Sequence, residues 1–227
     1  MANILRIQSS AQTSERSITR KMGAQFIQEW IKTDPSVSIV TRDVAQNPLT
    51  FVDQSWIAAA FTKPEDRTPE MIERLKESDM LIDEIIKADI LVIEVPMYNY
   101  GIPAALKAWI DQIARIGRTF SFDLSRGDVP IEPILSGKKL VQISSRGEFG
   151  FEPGGIREKM NALDSAIEAC AHYLGVSQKE IYRVTIEYQE FKDQRHEDSK
   201  QQAEKKITRL VGKLIFDFDK RPKVANL

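Results

Sequence analysis

The 227-residue chain carries one cysteine, two histidines and almost no net charge. A single thiol excludes an internal disulfide framework and a zinc site built from several thiolates. His172 and His196 leave little for a His-rich metal centre, and no His-x-x-x-His spacing or Ser-His-Asp set is present. Lys+Arg number 32 and Asp+Glu 33, so the clustered basic excess that nucleic-acid binding demands is missing. No apolar run approaches the ~18 residues of a membrane span. Met1-Ala2-Asn3-Ile4-Leu5-Arg6 enters a strand-like run without a secretory apolar region. The dinucleotide G-x-G-x-x-G is absent. So is a Walker A loop, because Gly137-Lys138 lacks both the earlier glycine and the following Ser/Thr. These exclusions leave the expectation of a reduced, cytoplasmic, globular protein with no nucleic-acid or membrane partner.

Hydrophobic residues at 42% and charged residues at 29% give the remaining chain an ordinary globular composition. Short apolar runs at residues 4–7, 37–41, 90–95, 139–144 and 181–186 read as five strands. Helix-period stripes lie between them. Ile18, Met22, Phe26 and Trp30 form one, and Ile72, Leu75, Ile82 and Ile86 another, opened by Thr68-Pro69. Leu106, Trp109/Ile110 and Ile113 follow Pro103. Ile156, Met160, Leu163, Ile167, Cys170 and Leu174 form a fourth stripe, and Ala203, Ile207, Leu210 and Leu214 a fifth. Cys170 reads as a structural thiol, and His196 as part of a solvated charged segment. Near-continuous apolar strands alternating with helices predict a three-layer α/β sandwich around a parallel sheet. One domain is expected over residues 1–219, with a polar tail at 220–227. Residues 46–63 and 117–137 stand out as long inserts.

In an open parallel sheet, ligands gather beyond the carboxyl ends of the strands. The first such loop, Ser9-Ser10-Ala11-Gln12-Thr13-Ser14-Glu15-Arg16-Ser17-Ile18-Thr19, is rich in hydroxyls and opens a helix. Hydroxyls and free N–H groups at a helix start suit a terminal phosphate, and the lack of glycine argues against a pyrophosphate pressed on the backbone. A plain capped helix start fits the same residues. The third loop, Pro96-Met97-Tyr98-Asn99-Tyr100-Gly101-Ile102-Pro103, offers flat apolar contact and an amide to a planar heterocycle, or serves as a rigid turn. The fourth, Ser144-Ser145-Arg146-Gly147-Glu148-Phe149-Gly150, lets backbone approach a ligand, or is a plain surface loop.

Taken together, Ser9/Ser10 with Ser17-Ile18-Thr19, Met97-Tyr98-Asn99-Tyr100 and Ser145-Arg146-Gly147 resemble the FMN-dependent NADH-azoreductases. These are also called FMN-dependent NADH:quinone oxidoreductases and belong to the flavodoxin-like superfamily. The resemblance runs from about residue 4 to about 214 and includes Arg42-Asp43 and Gly117-Arg118-Thr119-Phe120. It implies a five-stranded parallel sheet in the order 2-1-3-4-5 with helices on both faces. It also implies one non-covalent FMN per subunit. Ser10, Ser17, Ile18 and Thr19 would hold its phosphate, Met97, Tyr98, Asn99 and Tyr100 its ring, and Ser145, Arg146, Gly147 and Glu148 the other ring edge. Hydride would pass from NADH to a quinone or azo acceptor by a ping-pong exchange, with no catalytic side chain required.

The family is homodimeric, and the aromatics of the two inserts are candidates to roof the partner's site as a substrate pocket: Phe51, Trp56 and Phe120, with Phe61 and Phe122. Tyr100 stands where the family pattern has Phe, Thr19 where it has Ser, and Glu148 where it has Gly. Glu148 places a carboxylate beside the flavin, where it would shift the potential or disfavour anionic substrates, or else faces solvent. A non-catalytic flavodoxin-like electron carrier is the rival reading. The near-zero charge and the aromatic inserts oppose it.

Overall fold

A computed structural model describes residues 1–220. Of the expected polar tail, only Lys220 falls within it; 221–227 lie outside the described residues. The order is β1 (Asn3–Gln8), α1 (Ile18–Thr33), β2 (Ser38–Asp43), α2 (Gln54–Phe61), α3 (Pro69–Lys87), β3 (Ile90–Pro96), α4 (Ala104–Ile113), β4 (Phe120–Phe122), β5 (Ile131–Pro133), β6 (Lys138–Ser145), α5 (Ala162–Cys170), β7 (Val176–Ile186) and α6 (Gln194–Asp219). The main sheet is parallel in the order β2-β1-β3-β6-β7, which is the expected flavodoxin-like order. No described helix is long and apolar enough to cross a membrane.

Strand alternation sorts the core into two layers. Leu5, Ile7, Leu91, Ile93 and Leu140 face α3, α4 and α5, where Leu81, Ile85, Trp109 and Leu163 meet them. Ile4, Ile90, Val92, Val141 and Val184 face α1 and α6, against Phe26, Trp30, Ile207 and Leu214. β3 and β6 are buried along their whole length because they are flanked by strands and covered on both faces. A third, small cluster of Trp56, Ala59, Ala60 and Leu75 packs α2 onto α3.

Several boundaries differ from the sequence reading. The helical stripe expected from Ile156 begins only at Ala162. Gly155 packs against the Gly150 carbonyl so closely that a Cβ would lie 2.4 Å from it, and Gly154 is left-handed at φ +83. Ile156 and Met160 are therefore exposed loop residues, and Asn161 caps the helix by accepting from the Asp164 N–H. On α3 the inward face is Leu75, Leu81, Ile82 and Ile85, so Ile72 and Ile86 point outward. The insert at 46–63 holds α2, and that at 117–137 holds the antiparallel β4–β5 hairpin. β7 starts at Val176, ahead of the expected 181, and its pairing with β6 is irregular between Val176 and Ile181. His196 is buried, not solvated, and its Nδ1 lies 3.0 Å from the Glu187 carbonyl oxygen. Cys170 is half-buried against the core, and burial raises its thiol pKa.

Ile4, Arg6 and Gln8 share the face of β1 that meets α1, and Glu94 occupies the matching face of β3. Charged and amide groups thus continue an apolar stripe inside the fold. Glu94 is fully buried and pairs with Arg6; Gln8 Nε2 donates to its other oxygen at 2.9 Å. Burial pushes the Glu94 carboxyl up, and Arg6 and Gln8 oppose that rise. Its room comes from Gly23 on α1, where a Cβ would lie 1.7 Å from a Glu94 carboxylate oxygen. Gly23→Ala should therefore act as overpacking, costing about 2 kcal/mol and lowering the thermal midpoint by roughly 4–8 °C. Differential scanning calorimetry measures this; an unchanged midpoint would show that Glu94 can step aside freely.

Candidate functional site at the carboxyl edge of the sheet

The loops after β1, β3 and β6 enclose a cleft of about 250 Å³ lined by Ser10, Arg16, Ser17, Ile18, Met97, Tyr98, Ser145, Gly147 and Glu190, among others. A larger cavity of about 620 Å³ lies at the opposite end of the sheet, around Leu135, Lys138, His172 and Val176. Two of its lysines are committed: Lys138 Nζ donates to the carbonyls of Ile86 and Ala88, and Lys139 pairs with Glu180. The smaller cleft is the one at the strand ends where ligands of such sheets bind.

Its floor is the start of α1. Ser17 is the N-cap, its Oγ accepting from the Arg20 N–H at 3.3 Å. Among the described residues no acceptor is recorded for the N–H groups of Ile18 and Thr19, which stand at the positive end of the helix dipole. An anion is the partner such groups take. Ser10 and Ser17 line the cleft, whereas the Thr19 hydroxyl is fully buried behind Ser17, 3.1 Å from its Oγ. The Thr19 hydroxyl thus holds Ser17 in place rather than facing the cleft.

Arg20 fixes this loop from below. Its guanidinium donates to the Ser10 carbonyl at 2.7 Å, to Gln8 Oε1 at 3.0 Å, and to both oxygens of Asp43 at 2.6 and 3.0 Å. Burial pushes the Asp43 carboxyl up, but Arg20 and the N–H groups of Gln46 and Ala45 outweigh it and leave the carboxyl below its ordinary range. Sequence reasoning missed Arg20, Gln8 and Glu94. The available signal was a carboxylate inside an apolar strand.

The second wall is a tight reversal. Tyr98 and Gly101 exchange two backbone hydrogen bonds at 3.0 Å, with Asn99 at φ 47 and Tyr100 at φ 68 between them. A two-residue turn with both central residues left-handed suits a hairpin, but glycine is its usual occupant. Left-handed non-glycine residues cost on the order of 1–3 kcal/mol each and persist where the surroundings hold them. Here the Tyr98 hydroxyl accepts from the Ala11 N–H at 3.2 Å, and the Tyr100 hydroxyl donates to Glu148 at 3.3 Å. One turn is thereby tied to both neighbouring loops. Met97 N–H donates to the Ser145 carbonyl at 2.8 Å.

The third wall follows β6. Ser145 and Gly147 face the cleft; Arg146 does not, because its fully buried side chain turns inward to Asp164 at 2.7 Å. Asp164 also accepts from Gln142 at 2.5 Å and Asn161 at 2.7 Å. Burial pushes the Asp164 carboxyl up, but Arg146 first, then Asn161 and Gln142, bring it below its ordinary range. Burial raises Glu187, 3.9 Å from Arg146, despite that arginine. Gly147 passes close to Glu190, whose Cγ would lie 2.9 Å from an added Cβ. Glu148 is half-buried and paired with Arg157 at 2.7 Å.

The insert aromatics are not brought to this cleft within one chain. Trp56 is buried against α3, its indole N–H donating to Gln112 at 2.8 Å, which removes it from any surface pocket of its own chain. Phe51 is exposed beside it. Phe120 lies at the amino-terminal end of the sheet, 5.2 Å from the Tyr173 ring.

A family model described as flavodoxin-like fold matches residues 2–209. An FMN-dependent NADH:quinone oxidoreductase 2 of Colwellia psychrerythraea is 50% identical over 221 residues, covering 95% of this chain and 100% of that one. The chain belongs to the FMN-dependent NADH:quinone oxidoreductase family. Another relative, an FMN-dependent NAD(P)H:quinone oxidoreductase 1 of Pseudomonas aeruginosa, is 37% identical, covering 93% of this chain and 99% of that protein. Among solved structures, an FMN-dependent NADH-azoreductase of Bacillus anthracis in complex with FMN superposes with a TM-score of 0.81 at 17% identity. It covers 94% of this chain and 99% of that one, a likeness of fold.

The Arg146–Asp164 pair gives a stability test. Asp164→Asn leaves a buried guanidinium without its closest counter-ion, with only Glu152 and Glu187 at 3.7 and 3.9 Å, and should cost about 3 kcal/mol at neutral pH. A depressed carboxyl contributes its full stabilisation above the ordinary aspartate value of ~4 and loses it as pH falls through the lower folded value. The deficit should therefore be constant from pH 7 to about 5 and shrink towards pH 2. Urea unfolding at stepped pH reads it; a deficit independent of pH would mean that the charge is immaterial.

Proposed function

We propose that the chain is an FMN-dependent oxidoreductase that moves hydride from NADH to quinones, and to azo compounds, at the carboxyl edge of its sheet. The observation that carries this is the convergence of two features on one cleft: the open N–H pair at the start of α1, and the strained Tyr98–Gly101 turn tied to both adjoining loops. The first takes a phosphate and the second a flat ring, in a chain 50% identical to a protein named for this activity.

Ser10, Ser17 and the N–H groups of Ile18 and Thr19 would hold the phosphate of FMN. Met97, Tyr98, Asn99 and Tyr100 would frame one side of the ring system, and Ser145, Gly147 and Glu148 the other, with Arg146 holding its loop from behind. Bound FMN supplies the two-electron relay between donor and acceptor. The chain's own part is orientation and exclusion of water, which explains why no side-chain nucleophile is needed. One ring face serving donor and acceptor in turn gives ping-pong kinetics.

We further propose a cytoplasmic homodimer. Phe120 and Tyr173 pack together far from their own cleft, so only a second copy can bring such a pair over a flavin. Exposed Phe51, Phe61 and Phe122 on the inserts add apolar surface for that contact. Trp56 contributes from below, by seating α2.

Three measurements test the reading. The purified protein should show a flavin spectrum, release FMN on acid treatment, and oxidise NADH with a quinone or an azo dye; no flavin after reconstitution would end the proposal. Ser17→Ala should weaken FMN by about tenfold or more, since a charge-assisted hydrogen bond contributes roughly 1.5–3 kcal/mol, whereas Thr19→Ala, which removes only the hydroxyl behind Ser17, should weaken it less. An unchanged titration would reduce the loop to a helix cap. Double-reciprocal plots against NADH at several quinone concentrations should be parallel, and intersecting lines would contradict the single-face exchange.

For the dimer, sedimentation at micromolar concentration should give twice the 25.8 kDa chain mass. Phe120→Ala should slow acceptor turnover with FMN retained. A fully active monomer would refute the shared site.

A further inference from the structure

Glu148 and Tyr100 stand at the two positions where an extra carboxylate and an extra hydroxyl depart from the family motif, and in the fold they meet. The Tyr100 hydroxyl donates to one Glu148 oxygen at 3.3 Å. The other oxygen pairs with Arg157 at 2.7 Å. Arg157 is itself anchored, donating to the Phe149 carbonyl at 3.1 Å with its guanidinium 5.0 Å over the Phe149 ring. Tyr100 follows Tyr98, and Glu148 follows Gly147, both of which line the cleft. The chain of contacts therefore joins the loop after β3 to the loop after β6, the two loops that wall the cleft. We infer that Glu148 and Arg157, clasped with Tyr100, are a specificity-determining pair that makes the acceptor entrance indifferent to acceptor charge.

A lone carboxylate here would repel a sulfonated or carboxylated acceptor, and a lone guanidinium would attract one. Paired within hydrogen-bonding distance, the two nearly cancel beyond a few ångströms. Both are partly exposed, 34% for Glu148 and 21% for Arg157, so neither is buried out of an incoming molecule's field. The sequence alone left Glu148 to shift the flavin potential, to repel anions or to face solvent; the pairing with Arg157 replaces the last two. This inference rests on the FMN reading above.

The test uses the flavin-loaded protein, reduced chemically so that the charge of NADH does not enter. Reoxidation is followed with a naphthoquinone and with its ring-sulfonated form, and the ratio of the two second-order rate constants is compared among wild type, Glu148→Gln and Arg157→Gln. One uncompensated unit charge roughly 8 Å away in a half-exposed site changes the ratio by about fivefold. Glu148→Gln should raise the sulfonate-to-neutral ratio by about that factor, and Arg157→Gln should lower it similarly. Both shifts should shrink at high salt.

A loosened loop would change both acceptors together and move the ratio in neither direction. Ratios that stay constant, or move the same way in both variants, overturn the inference while leaving the flavin reading intact. A wild-type protein that takes up no FMN fails earlier, at the visible spectrum, and takes both readings with it.

Discussion

The Arg20 guanidinium is the fixed point of the molecule. It joins β1 through Gln8, β2 through Asp43 and the first loop through the Ser10 carbonyl, while its own carbonyl accepts from Arg6 at 3.1 Å. Arg6 and Gln8 then reach Glu94 on β3. Three strands and one helix are thus registered by a compact set of charges that no water reaches easily. Such a set is costly to bury and costlier to break. Its location is what makes sense of the expense: it sits directly beneath the loop that leads to the two open N–H groups at the start of α1. An apolar core at that point would fill space but would not aim a backbone.

The same logic recurs on the other side of the cleft. Arg146 is turned away from solvent and held by Asp164, which is itself held by Gln142 and Asn161. The cleft therefore lies between two buried arginine clusters, each supporting a loop. Between them the Asn99–Tyr100 reversal is kept in an unfavourable backbone conformation by two tyrosine hydroxyls. Rigidity at the site comes from hydrogen bonds at its margins, and the apolar layers supply the platform.

Much of this was legible in the sequence. Strand order followed from the family resemblance, and the alternation of Leu5 and Ile7 with Ile4 carries the two-layer core. The cleft residues Ser10, Ser17, Met97, Tyr98, Ser145 and Gly147 were found because position after a strand is itself a chemical statement. Direction of side chains was not legible. Arg146 follows its strand as expected but points inward, because a long-range partner such as Asp164 leaves no local trace, and the Thr19 hydroxyl turns behind Ser17. The stripe from Ile156 misled for a related reason: helical spacing counts apolar residues and ignores a glycine pair that closes backbone on backbone. His196 looked solvated among charges, yet one turn of α6 carries it under the Glu187 carbonyl.

The tryptophans are distributed in a way that matters to anyone watching this molecule in solution. Trp109 belongs to one apolar layer, Trp30 to the other, and Trp56 to the small cluster under α2. Each is enclosed by its own chain, and none lines the cleft. Leaving one indole at a time therefore turns emission into three separate clocks, one for each packed compartment. The order in which they run down on unfolding would reveal whether the two faces of the sheet come apart together or in sequence.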